Sequence, residues 1–142
     1  MLALAGYPLG QRFRFFDTAE GAVAGHLAEL RVGAYDDPEA LARFAEGLEL
    51  VTYEFENVPV AAARSLAERV PVFPPPQALE AAQDRLAEKT FFQSLDIPTP
   101  PFYPVLTRAD LLEGVERTGF PCVLKTRTLG YDGKGQQVLR GP

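Results

Sequence analysis

The chain has 142 residues, 46% of them hydrophobic and 23% charged, with a net charge of −5, one cysteine and one histidine. A chain of this size buries roughly 68–70% of its unfolded surface, so it can build a core without disulfides. The acidic balance argues against a general nucleic-acid or anionic-membrane binder. The lone Cys122 excludes an internal disulfide or a cysteine-only metal site. No apolar run approaches the ~20 residues of a membrane span, and the start lacks a secretory pattern, so a reducing cytoplasm is the expected setting.

Met1-Leu-Ala-Leu-Ala-Gly6 reads as a helix already under way, closed by Gly6 and Pro8. Phe13-Arg-Phe-Phe-Asp17 reads as a strand ending in an acid. An acid there can hold a ribose hydroxyl in a dinucleotide fold, but the glycine fingerprint is absent, so Asp17 is read as a turn residue. His26 has no second ligand pattern nearby, and no metal site is expected. After a short strand, Leu30-Arg-Val32, Asp37 caps a helix with Pro38 at its first position and Gly47 as terminator. Leu48-Glu-Leu-Val-Thr-Tyr-Glu54 reads as the next strand, with Thr52, Glu54 and Glu56 on one face. Open α/β sheets place ligands at such carboxyl ends, although on the residues alone solvated loop acids are the preferred reading of the pair. A helix from Pro59 to Arg69 and a strand, Val70-Pro-Val-Phe73, follow. The alternation predicts an α/β fold: a parallel sheet with covering helices, whose most buried strand is missing ahead of the opening helix.

Pro74-Pro75-Pro76 is a stiff connector and the expected domain boundary. Beyond it, Gln77–Ala82 and Asp84–Leu95 read as helices, with Arg85 and Lys89 one turn apart on one face, by default a solvated one. Phe102-Tyr-Pro-Val105 is a possible edge strand. Thr107 and Asp110 form a capping box for a helix ended by Gly119. Pro121-Cys-Val-Leu-Lys125 reads as a buried strand that opens into Thr126-Arg-Thr-Leu-Gly-Tyr-Asp-Gly-Lys-Gly-Gln136 and leaves through a strand over residues 136–140. Period-two alternation puts Lys125 and Arg127 on one face, at the mouth of a turn carrying Gly130, Gly133 and Gly135. Glycines let backbone N–H groups converge, and with a lysine alongside they suit a polyphosphate. Asp132-Gly133 is also simply a good hairpin tip. Neither reading excludes the other.

Three stretches carry a family resemblance: Val51-Thr-Tyr-Glu-Phe-Glu-Asn-Val-Pro59, Gln83-Asp-Arg-Leu-Ala-Glu-Lys89 and Lys125–Gln136. In order and spacing they resemble 5-(carboxyamino)imidazole ribonucleotide synthase, an ATP-grasp enzyme of purine biosynthesis. Leu129 departs from the pattern, where the family usually has a second glycine. The resemblance implies a Rossmann-like pre-ATP-grasp domain lacking its first strand over 1–75. The α+β first lobe of an ATP-grasp domain is implied over 76–142.

The implied reaction uses MgATP to activate bicarbonate as carboxyphosphate and carboxylates 5-aminoimidazole ribonucleotide. By position, Arg85 and Lys125 resemble ATP-contacting cations, and Gly130, Tyr131, Asp132, Gly133, Lys134, Gly135 and Gln136 the phosphate-covering flap. Glu54, with Tyr131 and Asp132, resembles the ribonucleotide-facing set; no catalytic residue is assigned. Family members begin with an additional strand and glycine-rich turn, and continue into a half that carries the Mg²⁺ ligands and the adenine pocket. The 142 residues therefore read as an N-terminal fragment, inactive alone, of an enzyme expected to be a homodimer. Two alternatives stay open. One is another ATP-grasp ligase, such as the formate-dependent glycinamide ribonucleotide transformylase; the other is a non-catalytic nucleotide-binding module.

Overall fold

The computed structural model describes residues 1–130 and 132–141; the expected contact Tyr131 lies outside the described residues. The chain divides into two compact units, Met1–Pro76 and Gln77–Pro142.

In the first unit, α1 (Leu2–Gly6) tightens into a 3-10 turn over Tyr7–Leu9, where Pro8 lacks the N–H needed to continue an α-helical ladder. Strand β1 (Arg14–Asp17) pairs in parallel with β2 (Glu29–Val32), Phe15 opposite Leu30 and Asp17 opposite Val32. Helix α2 (Pro38–Ala45) starts as its cap predicts: the Asp37 carboxylate accepts from the Glu39 and Ala40 amides, with Pro38 at the first position. Strand β3 (Val51–Thr52), helix α3 (Val60–Ala67) and strand β4 (Val72–Phe73) complete the unit, β3 and β4 pairing in parallel. Leu41, Phe44 and Ala45 of α2 meet Ala62 and Leu66 of α3 over Val51, Val70 and Val72, and Phe16 of β1 packs onto the same cluster. The Phe16 and Phe44 rings lie 5.3 Å apart. Arg14 ties three elements together. Its guanidinium donates to Glu29 Oε2 at 2.8 Å and to the Phe44 and Glu46 carbonyls at 3.0 and 2.7 Å, the last two at the end of α2.

Two expectations change here. The strand read over Leu48–Glu54 is only two residues long, because its partner β4 runs straight into Pro74 and Pro75, which have no N–H to extend the ladder. The single sheet is present as two separate parallel ladders, β1–β2 and β3–β4, among the described residues.

The second unit carries α4 (Pro76–Gln83), α5 (Arg85–Ser94), α6 (Arg108–Thr118) and the antiparallel pair β5 (Cys122–Lys125) and β6 (Gln136–Leu139). The capping box is formed as read: Thr107 Oγ1 accepts from the Asp110 amide, Asp110 Oδ2 accepts from the Thr107 amide, and Gly119 ends the helix at φ 74°. Phe102–Val105 is not a strand. Pro104 lacks a ladder donor, and the two aromatic rings are occupied by helix cations, Lys89 over Phe102 at 5.3 Å and Arg117 over Tyr103 at 5.1 Å. Nor is β5 buried: Cys122 and Leu124 are half-buried, whereas Val123 and Lys125 are exposed. An apolar run reads the same in a fully buried strand and in one with a single covered face.

Candidate functional site

Strand β5 delivers Lys125 to its last paired position, exposed and opposite Gln136. One residue on, the Thr126 amide donates to the Gly135 carbonyl at 2.8 Å and closes the mouth of the loop. Asp132 and Gly133, at φ 50° and 79°, both take positive φ within the connection that joins the antiparallel β5 and β6, so Asp-Gly lies in a hairpin loop as read. Two glycines are required by the packing. A Cβ on Gly135, itself at φ 67°, would lie 2.5 Å from Thr126 Oγ1, and one on Gly130 would lie 2.8 Å from the Lys134 carbonyl oxygen. Leu129 sits at φ 62° with its side chain 74% exposed, so the residue that departs from the family pattern holds a left-handed conformation normally left to glycine.

The start of α5 is docked on this loop. Asp84 is the N-cap: its Oδ1 accepts from the Leu86 and Ala87 amides at 2.8 and 3.2 Å. The same carboxylate takes a two-pronged ion pair from Arg127, Nε to Oδ1 at 3.2 Å and Nη2 to Oδ2 at 2.5 Å. Arg127 returns the contact through its backbone, its carbonyl accepting from the Arg85 amide at 2.9 Å. The Arg85 guanidinium donates from Nη1 to the Thr126 carbonyl at 3.1 Å and from Nη2 to the Gly130 carbonyl. The Arg127 guanidinium beside Asp84 holds its carboxyl below the usual range, helped by the two capping amides and opposed by partial burial.

Of the expected nucleotide-contacting residues, Arg85, Lys125, Gly130, Gly133, Lys134, Gly135, Gln136 and Asp132 thus belong to one loop–helix corner of the second unit. Lys134 is exposed. Arg127 differs from its reading. The strand ends at Lys125, alternation stops with it, and the Arg127 side chain turns to Asp84 rather than standing beside Lys125. Sequence reasoning missed the second role of Asp84. An Asp directly ahead of a helical pattern signals a cap, but no local signal joins it to Arg127.

Glu54 belongs to the first unit. It lies beyond the two-residue β3, its side chain 64% exposed and 3.9 Å from the Met1 amine. It lines a shallow cleft of about 440 Å³ with Met1, Leu2, Ala5, Thr52 and Tyr53.

Chemically, the corner offers an exposed lysine beside a glycine-rich loop, which suits a polyphosphate. The N-terminus of α5 contributes little to it, since the Arg85, Leu86 and Ala87 amides already have protein acceptors. Among the described residues no group of three His, Cys, Asp or Glu could hold a metal ion.

Residues 1–83 match the family described as the ribonucleotide synthetase preATP-grasp domain. The chain belongs to that family. Residues 90–142 match the ATP-grasp domain. The chain is 51% identical to the N5-carboxyaminoimidazole ribonucleotide synthase of Pseudomonas aeruginosa, covering 100% of its own length and 39% of that relative's. The crystal structure of the corresponding synthetase from Thermus thermophilus is similar at a TM-score of 0.89 and 60% identity, over 99% of this chain and 38% of that one. The Staphylococcus aureus enzyme, solved as an ADP complex, is similar at a TM-score of 0.93 and 32% identity, again over 99% and 38%. The resemblance carried by the three motifs therefore extends over the whole chain, which spans well under half the length of these relatives.

Proposed function

We propose that the protein carrying this chain carboxylates 5-aminoimidazole ribonucleotide at the expense of ATP, giving 5-(carboxyamino)imidazole ribonucleotide, ADP and phosphate in purine biosynthesis. Bicarbonate oxygen takes the γ-phosphoryl group and ADP leaves. The exocyclic amine then attacks the carboxyl carbon, the C–O bond to phosphate breaks, and the amine loses a proton. Phosphoryl transfer asks the protein mainly for positioning and charge neutralisation. In this reading Lys125 neutralises the polyphosphate, residues 130–136 cover it, and Arg85 serves the same site. Glu54, with Tyr131 and Asp132, recognises the ribonucleotide. The first domain, 1–75, takes the ribonucleotide role, and 76–142 opens the ATP-grasp domain. No step is assigned to a metal on the residues of this chain. Mg²⁺ accompanying the nucleotide, a homodimer and a cytoplasmic setting rest on the resemblance.

The observation that carries the reading is the docking of Asp84-Arg85 onto loop 126–130: two of the three motifs, far apart in sequence, meet beside Lys125. The ADP complex of the S. aureus relative supports the nucleotide. The deciding experiment measures phosphate release by the natively expressed protein with ATP and bicarbonate, with and without 5-aminoimidazole ribonucleotide. Ribonucleotide-dependent release is expected, and its absence refutes the assignment.

A further inference from the structure

Asp84 and Arg127 are partly exposed, their side chains at 24% and 47%, and an isolated ion pair of that exposure contributes little. This pair is not isolated. Asp84 is already held by the Leu86 and Ala87 amides, so pairing it orders only one further side chain. Arg127 answers with both of its polar ends, guanidinium to Asp84 and carbonyl to the Arg85 amide. Arg85 then reaches past Arg127 on both sides, to the carbonyls of Thr126 and Gly130. Two adjacent residues at the start of α5 thus grip the loop at 126, 127 and 130. The lowered carboxyl of Asp84 agrees with this geometry.

We infer that Asp84 and Arg127 are positioning residues whose fork-shaped ion pair pins loop 126–130 to the N-cap of α5. Lys125, Arg85 and the loop then meet the nucleotide as one preset unit. The nucleotide clause rests on the function proposed above; the clamp itself does not. The inference gives Arg127 a role in holding the site's shape, with no contact to phosphate required.

The test uses the natively expressed protein and four variants: Asp84→Asn, Arg127→Lys, Arg127→Gln and the double variant Asp84→Asn/Arg127→Gln. Asparagine keeps the N-cap acceptor but drops the charge, which separates the clamp from helix capping. Lysine keeps the charge but loses the fork. Amide exchange across 126–130 is read without nucleotide. Faster exchange is expected in each single variant, with no further gain in the double, while α5 keeps its protection in Asp84→Asn. In steady state, KM for ATP is expected to rise about fivefold with kcat nearly unchanged, and Arg127→Lys to recover only part of the loss. Unchanged loop exchange in Arg127→Gln overturns the clamp. A loosened loop with unchanged KM for ATP overturns the positioning role. A wild-type protein that binds no ATP overturns the nucleotide clause together with the proposed function, and the exchange result then reports on the clamp alone.

Discussion

Gly135→Ala tests whether the loop is held in one shape by close packing. An alanine at φ 67° occupies the left-handed region at a cost of about 1–2 kcal/mol. Its Cβ would also lie 2.5 Å from Thr126 Oγ1, and Thr126, β-branched and stiff at χ1, cannot swing away freely. Overpacking of this kind typically costs about 1–3 kcal/mol, so the two effects together destabilise the closed loop by about 2–5 kcal/mol. Loop and strand ladder are joined at this point by the bond from the Thr126 amide to the Gly135 carbonyl. Opening the loop there relieves the strain without unfolding the unit. Exchange of the Thr126 amide reads the opening directly and should accelerate at least roughly thirtyfold, the factor for 2 kcal/mol. Adding Thr126→Ala to Gly135→Ala removes the collision but leaves the φ penalty, so it should restore part of the protection. Gly21→Ala, where a Cβ would meet nothing within 4 Å, is the control. Unchanged exchange at Thr126 in Gly135→Ala would refute the close-packed loop.

Three further outcomes follow from the same contacts. Arg14→Ala leaves the carbonyls that close α2 without their charged donor, and should destabilise the first unit by about 1–2 kcal/mol after allowance for partial exposure, read by thermal or urea unfolding. Because Asp84 lies below its ordinary value of 3.8 in the folded chain, its contribution is complete above that value and fades as pH falls through the lowered pKa. An NMR titration of its carboxyl carbon should show a midpoint below 3.8, moving up toward it in Arg127→Gln. Leu129→Gly relieves about 1–2 kcal/mol of left-handed strain against about 0.5–1 kcal/mol of added chain entropy, so the loop should exchange no faster than wild type, and a faster loop would contradict the strain.

Features that depend on a few consecutive residues were legible in the sequence. Asp37-Pro38 and the Thr107/Asp110 pair place helix starts because capping is local, and Asp132-Gly133 marks a hairpin tip for the same reason. Features that depend on distant partners were not. The length of β3 is limited by prolines some twenty residues later, and the separation of the two ladders is a matter of pairing, which no single strand records. In the second unit, the glycine loop with Lys125 at its mouth was legible locally, but the docking of Arg85 and the direction of Arg127 were not, since alternation describes a side chain only while the strand lasts.

Three of the corner's basic residues, Arg85, Lys125 and Arg127, meet different fates. Arg127 is committed to Asp84, and Arg85 gives Nη1 and Nη2 bonds to the loop backbone, while Lys125 stands exposed at the strand end. With the first amides of α5 also committed, the proposed function leaves the charge of a polyphosphate chiefly to Lys125 and the loop. Lys125→Ala should therefore raise KM for ATP by about ten- to a hundredfold, the range of one lost charged hydrogen bond, without changing amide exchange across 126–130. Arg85→Ala should change both, since it removes the donors that hold Thr126 and Gly130. Glu54→Ala, in the first unit, should weaken the ribonucleotide and leave KM for ATP almost unmoved. Equal ATP effects at Glu54 and Lys125 would show that the division between the ribonucleotide and nucleotide sets is wrong. An Arg85→Ala protein with an undisturbed loop would show that its carbonyl contacts do not hold the corner.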